Sequence, residues 1–337
     1  MVHVVVVGGA GNVGREIVEE LVAQAKHEVT VFSRKELPEL SKAGIQTRKV
    51  NYLDKTELAA ELKEVHTVLS FVSSDPDNIA QRNLIDACIE AGVKRFAPSE
   101  WGIISNSGFA GYAFKDQVHE YLKQVNAEKT VLEYSLFQTG FFMNYLGFPH
   151  KTAKHLFITC VFADFDKGHA LQVEDGDYWV VHTTIQDVAK VVARAVDYPG
   201  KWPEVGGMIG SRIKMKDLIK LAEKIRGTKP QEPAQQLPTK SYRTAIRKLT
   251  TCDAGEPIEV HTVKKADLEK HQLNVTWVPQ FQHPNMPTGI PNADVLIAAA
   301  LSVCAGGGFD VSSEWNELLP DMKFTDTEEF LTDVFGK

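Results

Sequence analysis

Three glycines carry the first chemistry in this chain. Gly8, Gly11 and Gly14 stand three apart in Gly8-Gly9-Ala10-Gly11-Asn12-Val13-Gly14, directly after the apolar run His3–Val7 and at the start of a helical pattern. A glycine turn between a strand and a helix lets a pyrophosphate reach backbone amides that a Cβ would shield, and the helix N-terminus adds N–H groups and a favourable dipole. Gly8, Gly11, Asn12, Val13 and Gly14 are therefore the expected phosphate-binding residues. About 20 residues further on, where such sites choose between dinucleotides, the chain reads Ser33-Arg34-Lys35. An acid there would hold a ribose 2′-hydroxyl. A guanidinium instead matches a 2′-phosphate through paired, charge-assisted hydrogen bonds. The expected cofactor is NADP(H), with Glu36 close enough to keep NAD as the alternative.

A proton-transfer group is harder to find. A Tyr-x-x-x-Lys pair on one helix would provide one, but the nearest segment, Tyr112-Ala113-Phe114-Lys115, is one residue short. On a helix that shift turns Tyr112 by about 100°, so the usual tyrosine–lysine geometry is not expected. Lys115 itself remains a candidate, although a helical lysine is ordinarily a solvated surface charge. The eleven histidines show no metal-spaced cluster such as HExxH, and no metal is expected.

The elements that must position these residues alternate. Strand patterns at His3–Val7, Glu28–Phe32, Thr47–Val50, Thr67–Val72, Val93–Ala97 and Thr130–Phe137 are separated by helical patterns at Gly14–Ala25, Lys55–Lys63, Asn78–Ala91 and Lys115–Asn126. Strands separated by helices imply βαβ units with right-handed crossovers. The expected fold class is α/β, a Rossmann-type doubly wound parallel sheet over residues 1–155, with a smaller C-terminal α+β substrate domain over 156–337. The helical Thr183–Val196 is expected to return to the sheet domain, and Lys214–Arg226 to be a helix of the second one. Thr228–Pro238 and the proline-rich Gln280–Pro291 read as loop. Ligands of such sheets sit at the carboxyl ends of the strands. That rule adds Phe71, Val72 and Ser73 after the fourth strand, Pro98 and Ser99 after the fifth, and Phe137 and Thr139 at the end of the sixth to the cofactor's expected neighbours.

The segment Gly92-Val93-Lys94-Arg95-Phe96-Ala97-Pro98-Ser99-Glu100-Trp101-Gly102, together with the N-terminal glycines and Val65–Ser70, resembles the NmrA-like and isoflavone-reductase-like branch of the atypical short-chain dehydrogenases, over roughly the first 145 residues. Its Ser-Glu-Trp-Gly form resembles the fungal members. The resemblance implies that Lys115, standing where those reductases carry a catalytic lysine, is a general acid–base beside the nicotinamide and also a cofactor neighbour. It would exchange a proton with a phenol, carbonyl or benzylic oxygen while hydride moves to carbon. Trp101, Tyr112, Phe141, Phe142 and Asn144 are the expected substrate wall, suited to a flat apolar molecule. The first expectation is an NADPH-dependent reductase of a small aromatic, quinone-like or conjugated metabolite, in secondary metabolism. A redox-neutral isomerase or cyclase on the same fold is an alternative. Another is a non-catalytic redox sensor of the NmrA type, which could dispense with the lysine.

Composition fits these readings and excludes others. A chain of 337 residues with 43% apolar and 24% charged residues can build one large and one smaller core. A net charge of −7 argues against general nucleic-acid binding. Four dispersed cysteines, Cys88, Cys160, Cys252 and Cys304, with no CxxC pair, give no disulfide framework or zinc knuckle and suit a reducing, cytoplasmic setting. No secretory leader is visible, and the apolar run Val295–Ala305 is too short to span a bilayer. The expected partner is a small-molecule substrate, with the chain a monomer or homodimer and away from membranes.

Overall fold

The structure, a computed structural model, describes residues 1–72, 77–226, 257–281 and 293–336. Its N-terminal part runs β1 (His3–Val7), α1 (Asn12–Gln24), β2 (Glu28–Ser33), α2 (Pro38–Lys42), β3 (Gln46–Lys49), α3 (Lys55–Glu61), β4 (Thr67–Ser70), α4 (Ile79–Ala91), β5 (Arg95–Ala97), α5 (Ala113–Val125) and β6 (Glu133–Tyr134). These six strands form one parallel sheet in the order β3-β2-β1-β4-β5-β6. That is the Rossmann-type order, whose winding reverses between β1 and β4 and leaves a crevice at their carboxyl ends. The valine run of β1 makes the sheet two-sided. Val4 and Val6 join a core with Ile17, Val18 and Leu21 of α1, while Val5 and Val7 join another with Leu58, Leu84, Ile85 and Val118. Both faces are covered, as a parallel sheet requires.

The chain then departs from simple alternation. The sequence pattern predicts one strand over Thr130–Phe137, but the backbone leaves the sheet after β6. The Ser135 N–H still donates to the Phe96 carbonyl (3.1 Å), whereas the Leu136 N–H turns to Glu204 (2.9 Å). β7 (Leu136–Gln138) therefore pairs in parallel with β12 (Val205–Gly207). The second lobe holds two three-stranded sheets. One is ordered β14-β10-β9 from β9 (Ala163–Asp164), β10 (His169–Val173) and β14 (Glu259–Val263). The other is ordered β13-β11-β8 from β8 (Phe141–Phe142), β11 (Trp179–Thr183) and β13 (Ser211–Lys214).

The remaining helices are α6 (Ile185–Asp197), α7 (Met215–Arg226), α8 (Lys265–Leu268), α9 (Ala293–Ala305), α10 (Glu314–Leu318) and α11 (Thr327–Phe335). α6 packs on α1, and its Ile185, Val188 and Val192 share the core of Val4 and Val6 with Trp202 and Trp315. α7, α9 and α11 close the second core with Leu218, Leu301 and Phe335. The loops read at Thr228–Pro238 and over most of Gln280–Pro291, like Cys252, lie outside the described residues. Cys88, Cys160 and Cys304 are buried free thiols. No helix among the described residues is long and apolar enough to cross a membrane.

Candidate active site

The glycine turn sits at the β1–β4 crevice. Gly8 has φ +77, a backbone conformation that L side chains rarely adopt. A Cβ at Gly8 would lie 3.1 Å from the Phe71 carbonyl oxygen, and one at Gly14 would lie 3.0 Å from the Phe71 ring. These two glycines let the turn close onto the end of β4. Gly11 differs: a Cβ there would meet nothing within 4 Å. Gly11 is also the N-cap of α1 and brings no side chain to its first amides. On the β2 side, the Phe32 carbonyl accepts from the Gly8 N–H (2.9 Å) and the Tyr52 hydroxyl (3.0 Å), tying the turn to the strand that ends in Ser33. Burial pushes the Tyr52 phenol up to about 12, against the pull of the nearby Arg34 charge. Arg34 and Lys35 are exposed, and the Ser33 hydroxyl accepts from the Lys35 N–H (3.2 Å).

Asn12 and Val13 are half-buried at the start of α1. The Asn12 side-chain oxygen accepts from the Phe157 N–H (2.9 Å), and one Glu16 oxygen accepts from the N–H groups of His155 (2.6 Å) and Leu156 (3.0 Å). His155 and Lys154 also pair with Glu19 at 2.7 and 3.2 Å. Residues 154–157 thus form a strap along the first turns of α1, a contact that no sequence signal announced.

A ring stack leads from the turn into the molecule. Phe71 stacks on Trp101 (4.4 Å, 13°), Trp101 on Phe137 (5.3 Å, 10°) and Phe137 on Trp315 (5.3 Å, 1°). The Trp101 indole N–H donates to the Ser70 carbonyl (2.8 Å). Trp101 holds φ +37, strained for a bulky residue and maintained by these contacts. The strain turns the chain so that Glu100 faces inward. Its carboxyl is 4% exposed and accepts from the Ser105 hydroxyl (3.0 Å), which accepts in turn from Gln138 (3.0 Å). Burial pushes the Glu100 carboxyl above the ordinary range, against the nearby Lys115 charge.

Lys115 stands in the first turn of α5. Its ammonium donates to the Glu100 backbone carbonyl and lies over the Tyr112 ring, 3.7 Å from the centroid. Tyr112 ends a short 3₁₀ turn, Ala110–Tyr112, and offers the lysine its ring face. The buried Asn78 anchors the base of α5, donating to the Phe114 carbonyl (2.9 Å) and to Gln117 (3.0 Å). Its own side-chain oxygen is buried without a hydrogen-bond partner among the described residues. Sequence reasoning missed Glu100 and Asn78 as site residues. An acid set in the apolar Ala97–Trp101 stretch was the available signal for Glu100.

The expected residues fall into two groups. Gly8, Gly11, Asn12, Val13, Arg34, Lys35, Phe71, Val72, Ser99, Tyr112 and Lys115 retain exposure around the crevice, and Ser73 lies outside the described residues. The others are interior in this structure. Phe137 is fully covered between two tryptophans, and Pro98 is buried. Thr139 is buried with its N–H donating to the Gly102 carbonyl (2.8 Å). Phe141 packs with Phe162, Phe309 and Tyr145. Phe142 lies in the core shared with α1 and α6. Asn144 is 0% exposed and structural: its amide donates to the Thr152 carbonyl (2.9 Å) and Gln186 (3.2 Å), and its oxygen accepts from the Ile185 N–H (2.7 Å) at the start of α6. Trp101 is mostly buried and reaches the crevice only as the support behind Phe71.

Known proteins share this arrangement to different depths. The model of the NmrA-like family matches residues 2–331. A curated relative, Oxidoreductase BOA1 of Botryotinia fuckeliana (strain B05.10), is 34% identical over 238 residues, covering 68% of this chain and 77% of the relative. The complex of leucoanthocyanidin reductase with NADPH from Vitis vinifera has a TM-score of 0.65 at 16% identity, over 99% of this chain and 100% of that one. The NADPH-dependent quinone oxidoreductase QOR2 of Escherichia coli, complexed with NADPH, has a TM-score of 0.63 at 18% identity, over 98% and 99%. At those identities the two structures speak to the fold. The family match runs nearly end to end and agrees with the Rossmann-type strand order and with the glycine turn facing Phe71, so this chain belongs to the NmrA-like family.

Proposed function

We propose that the protein is an NADP(H)-dependent oxidoreductase that reduces a small aromatic, quinone-like or conjugated metabolite, with Lys115 as general acid–base. One juxtaposition carries this reading. The Lys115 ammonium is held by a tyrosine face and by the backbone carbonyl of Glu100, the residue before Trp101, whose ring backs the Phe71 that closes the glycine turn. The residues fit the cofactor. The open face of Gly11 and the uncapped first turn of α1 suit a pyrophosphate, and the exposed Arg34 and Lys35 suit a 2′-phosphate. Two structural neighbours carry NADPH and one is named for quinones, which supports the cofactor and substrate class.

The nicotinamide, when bound, supplies hydride to a substrate carbon. The protein's part is proton transfer and orientation. Lys115 gives its proton to the oxygen on which charge develops, leaving its hydrogen bond to the Glu100 carbonyl. Tyr112 and that carbonyl fix the direction from which the proton arrives. The Phe71–Trp101 stack keeps water from the inner side.

The test is a titration of the purified protein with NADPH and with NADH, followed by cofactor fluorescence, in wild type and in Lys115→Ala. A screen of quinones and conjugated aromatics for NADPH oxidation follows. Tight NADPH binding by both proteins, with turnover only in wild type, is the expected result. Binding of neither cofactor would remove the reading at its base, and equal turnover by both proteins would remove the role of the lysine.

A further inference from the structure

The second lobe brings together three side chains that sequence spacing leaves apart. β10 and β14 pair in parallel, with His169 opposite Glu259 and Leu171 opposite His261. Glu259 and His261 are two residues apart on one strand and share a face, with His169 facing them from the neighbouring strand. The His169 Nδ1 lies 3.2 Å from the His261 Nε2 and 3.5 Å from a Glu259 carboxylate oxygen, and the other Glu259 oxygen lies 3.9 Å from the His261 Nε2. Ligands placed tetrahedrally around an ion at about 2.0–2.1 Å stand about 3.4 Å from one another. The N···N separation and the nearer carboxylate contact lie close to that value; the 3.9 Å contact is made by the other carboxylate oxygen, and one ligand atom from each residue can be chosen with all three within 4.8 Å of one another.

The surroundings orient the rings. The outer nitrogen of His261, Nδ1, contacts the Thr276 hydroxyl at 3.2 Å, the type of outer partner that settles which nitrogen faces a metal. Trp277 stacks on both imidazoles, at 5.2 Å and 18° for His169 and at 5.4 Å and 27° for His261. His261 is 5% exposed, whereas Glu259 is open to solvent, so the cluster has a fixed inner wall and a wet outer side. A simple N–H···N bond between the histidines would account for their contact. It does not involve the carboxylate, one of whose oxygens lies 3.5 Å from the His169 Nδ1 and the other 3.9 Å from the His261 Nε2, both beyond good hydrogen-bond distance. A cation between the three accounts for all of them.

We propose that His169, Glu259 and His261 form a binding site for a divalent transition metal, zinc being the ion their donor set and spacing fit best. Two imidazoles and one carboxylate leave a fourth position for water on the open side. The bound ion clips β10 to β14, two strands joined only through a long excursion of the chain, and so stabilises the second lobe by binding the folded state alone. Histidine spacing along the chain does not show this cluster, because the three residues meet across a parallel strand pair.

Tag-free, chelator-treated protein is titrated with Zn²⁺ in competition with a chromophoric chelator, and with Co²⁺ by visible absorbance. About one equivalent should bind, with tetrahedral Co²⁺ bands and a change in Trp277 fluorescence. Zn²⁺ should also raise the melting temperature. Glu259→Gln and His169→Gln, both at accessible positions, should keep the apo-protein circular dichroism and weaken Zn²⁺ at least about tenfold. Failure to bind Zn²⁺, or binding unchanged in both variants, would overturn the proposal.

Discussion

Two groups of residues follow the carboxyl ends of the same sheet and meet opposite fates. After β1, β2, β4 and β5, the residues Gly11, Arg34, Phe71 and Lys115 remain at a solvent-reached rim. After β6, the residues Phe137, Phe141, Phe142 and Asn144 are enclosed. The difference lies in what the rest of the chain puts above them. β6 is an edge strand, and its continuation bends into β7 and β8, which are covered by β11, β12 and the Trp315 of α10. The residues that the strand-end rule selects thus differ in exposure according to what the second lobe places above them.

The largest effect that could break this comparison is on rate. Lys115→Ala should lower turnover by roughly 10²–10⁴-fold, the range for a general acid–base. Its melting temperature should stay close to wild type, because the lysine is half-exposed and only rests on a carbonyl and a ring. The interior group should behave the other way. Phe137→Ala empties the middle of the Trp101–Phe137–Trp315 stack and should destabilise the fold by about 3–5 kcal/mol, measured by denaturant unfolding. Were Phe137→Ala to keep its stability and lose NADPH affinity, the two groups would have been drawn wrongly.

A smaller change sharpens the rim itself. Arg34→Ala should weaken NADPH by roughly 10–100-fold, since hydrogen bonds to charged groups contribute about 1.5–3 kcal/mol. NADH should change by less than about 2-fold, having no 2′-phosphate for the guanidinium to meet. Equal losses for both cofactors would mean that Arg34 acts on the turn and not on the phosphate.

How much of this was legible in the sequence follows from the range of the interactions. The glycine turn, the valine strand and the helices at Lys55–Glu61 and Ile79–Ala91 are local patterns, and period and turn chemistry suffice for them. The exit of the chain after Tyr134 is not local. It depends on Glu204 and Gly206, some seventy residues away, receiving Leu136 and its neighbours. The burial of Asn144 likewise depends on Thr152 and Ile185. Lys115 was found through a resemblance, whereas its support by Glu100 and Tyr112 required the left-handed turn at Trp101, which no residue type announces.

The smallest effect compares one buried ionisable group from each region as pH falls. At the rim, burial raises the Glu100 carboxyl, so its contribution to stability is fully present below pH 4.5 and is lost as pH rises through its folded value. In the second lobe His182 has the opposite sign. It is enclosed against Phe141 with its Nδ1 unpartnered among the described residues, and burial pushes it down to about 3 from 6.5. The folded protein then holds fewer protons than the unfolded chain between those values. Stability is present above pH 6.5 and falls as pH drops towards 3, by at most about 1.4 kcal/mol per pH unit. Between pH 7.5 and pH 5.5 His182 should contribute a loss of about 1 kcal/mol in urea unfolding, beside smaller losses from His66, His119 and His261, whose values burial also lowers, and His182→Leu should lessen the wild-type loss by about that amount. An undiminished loss in His182→Leu would shift the acid sensitivity to other groups and leave His182 as packing alone.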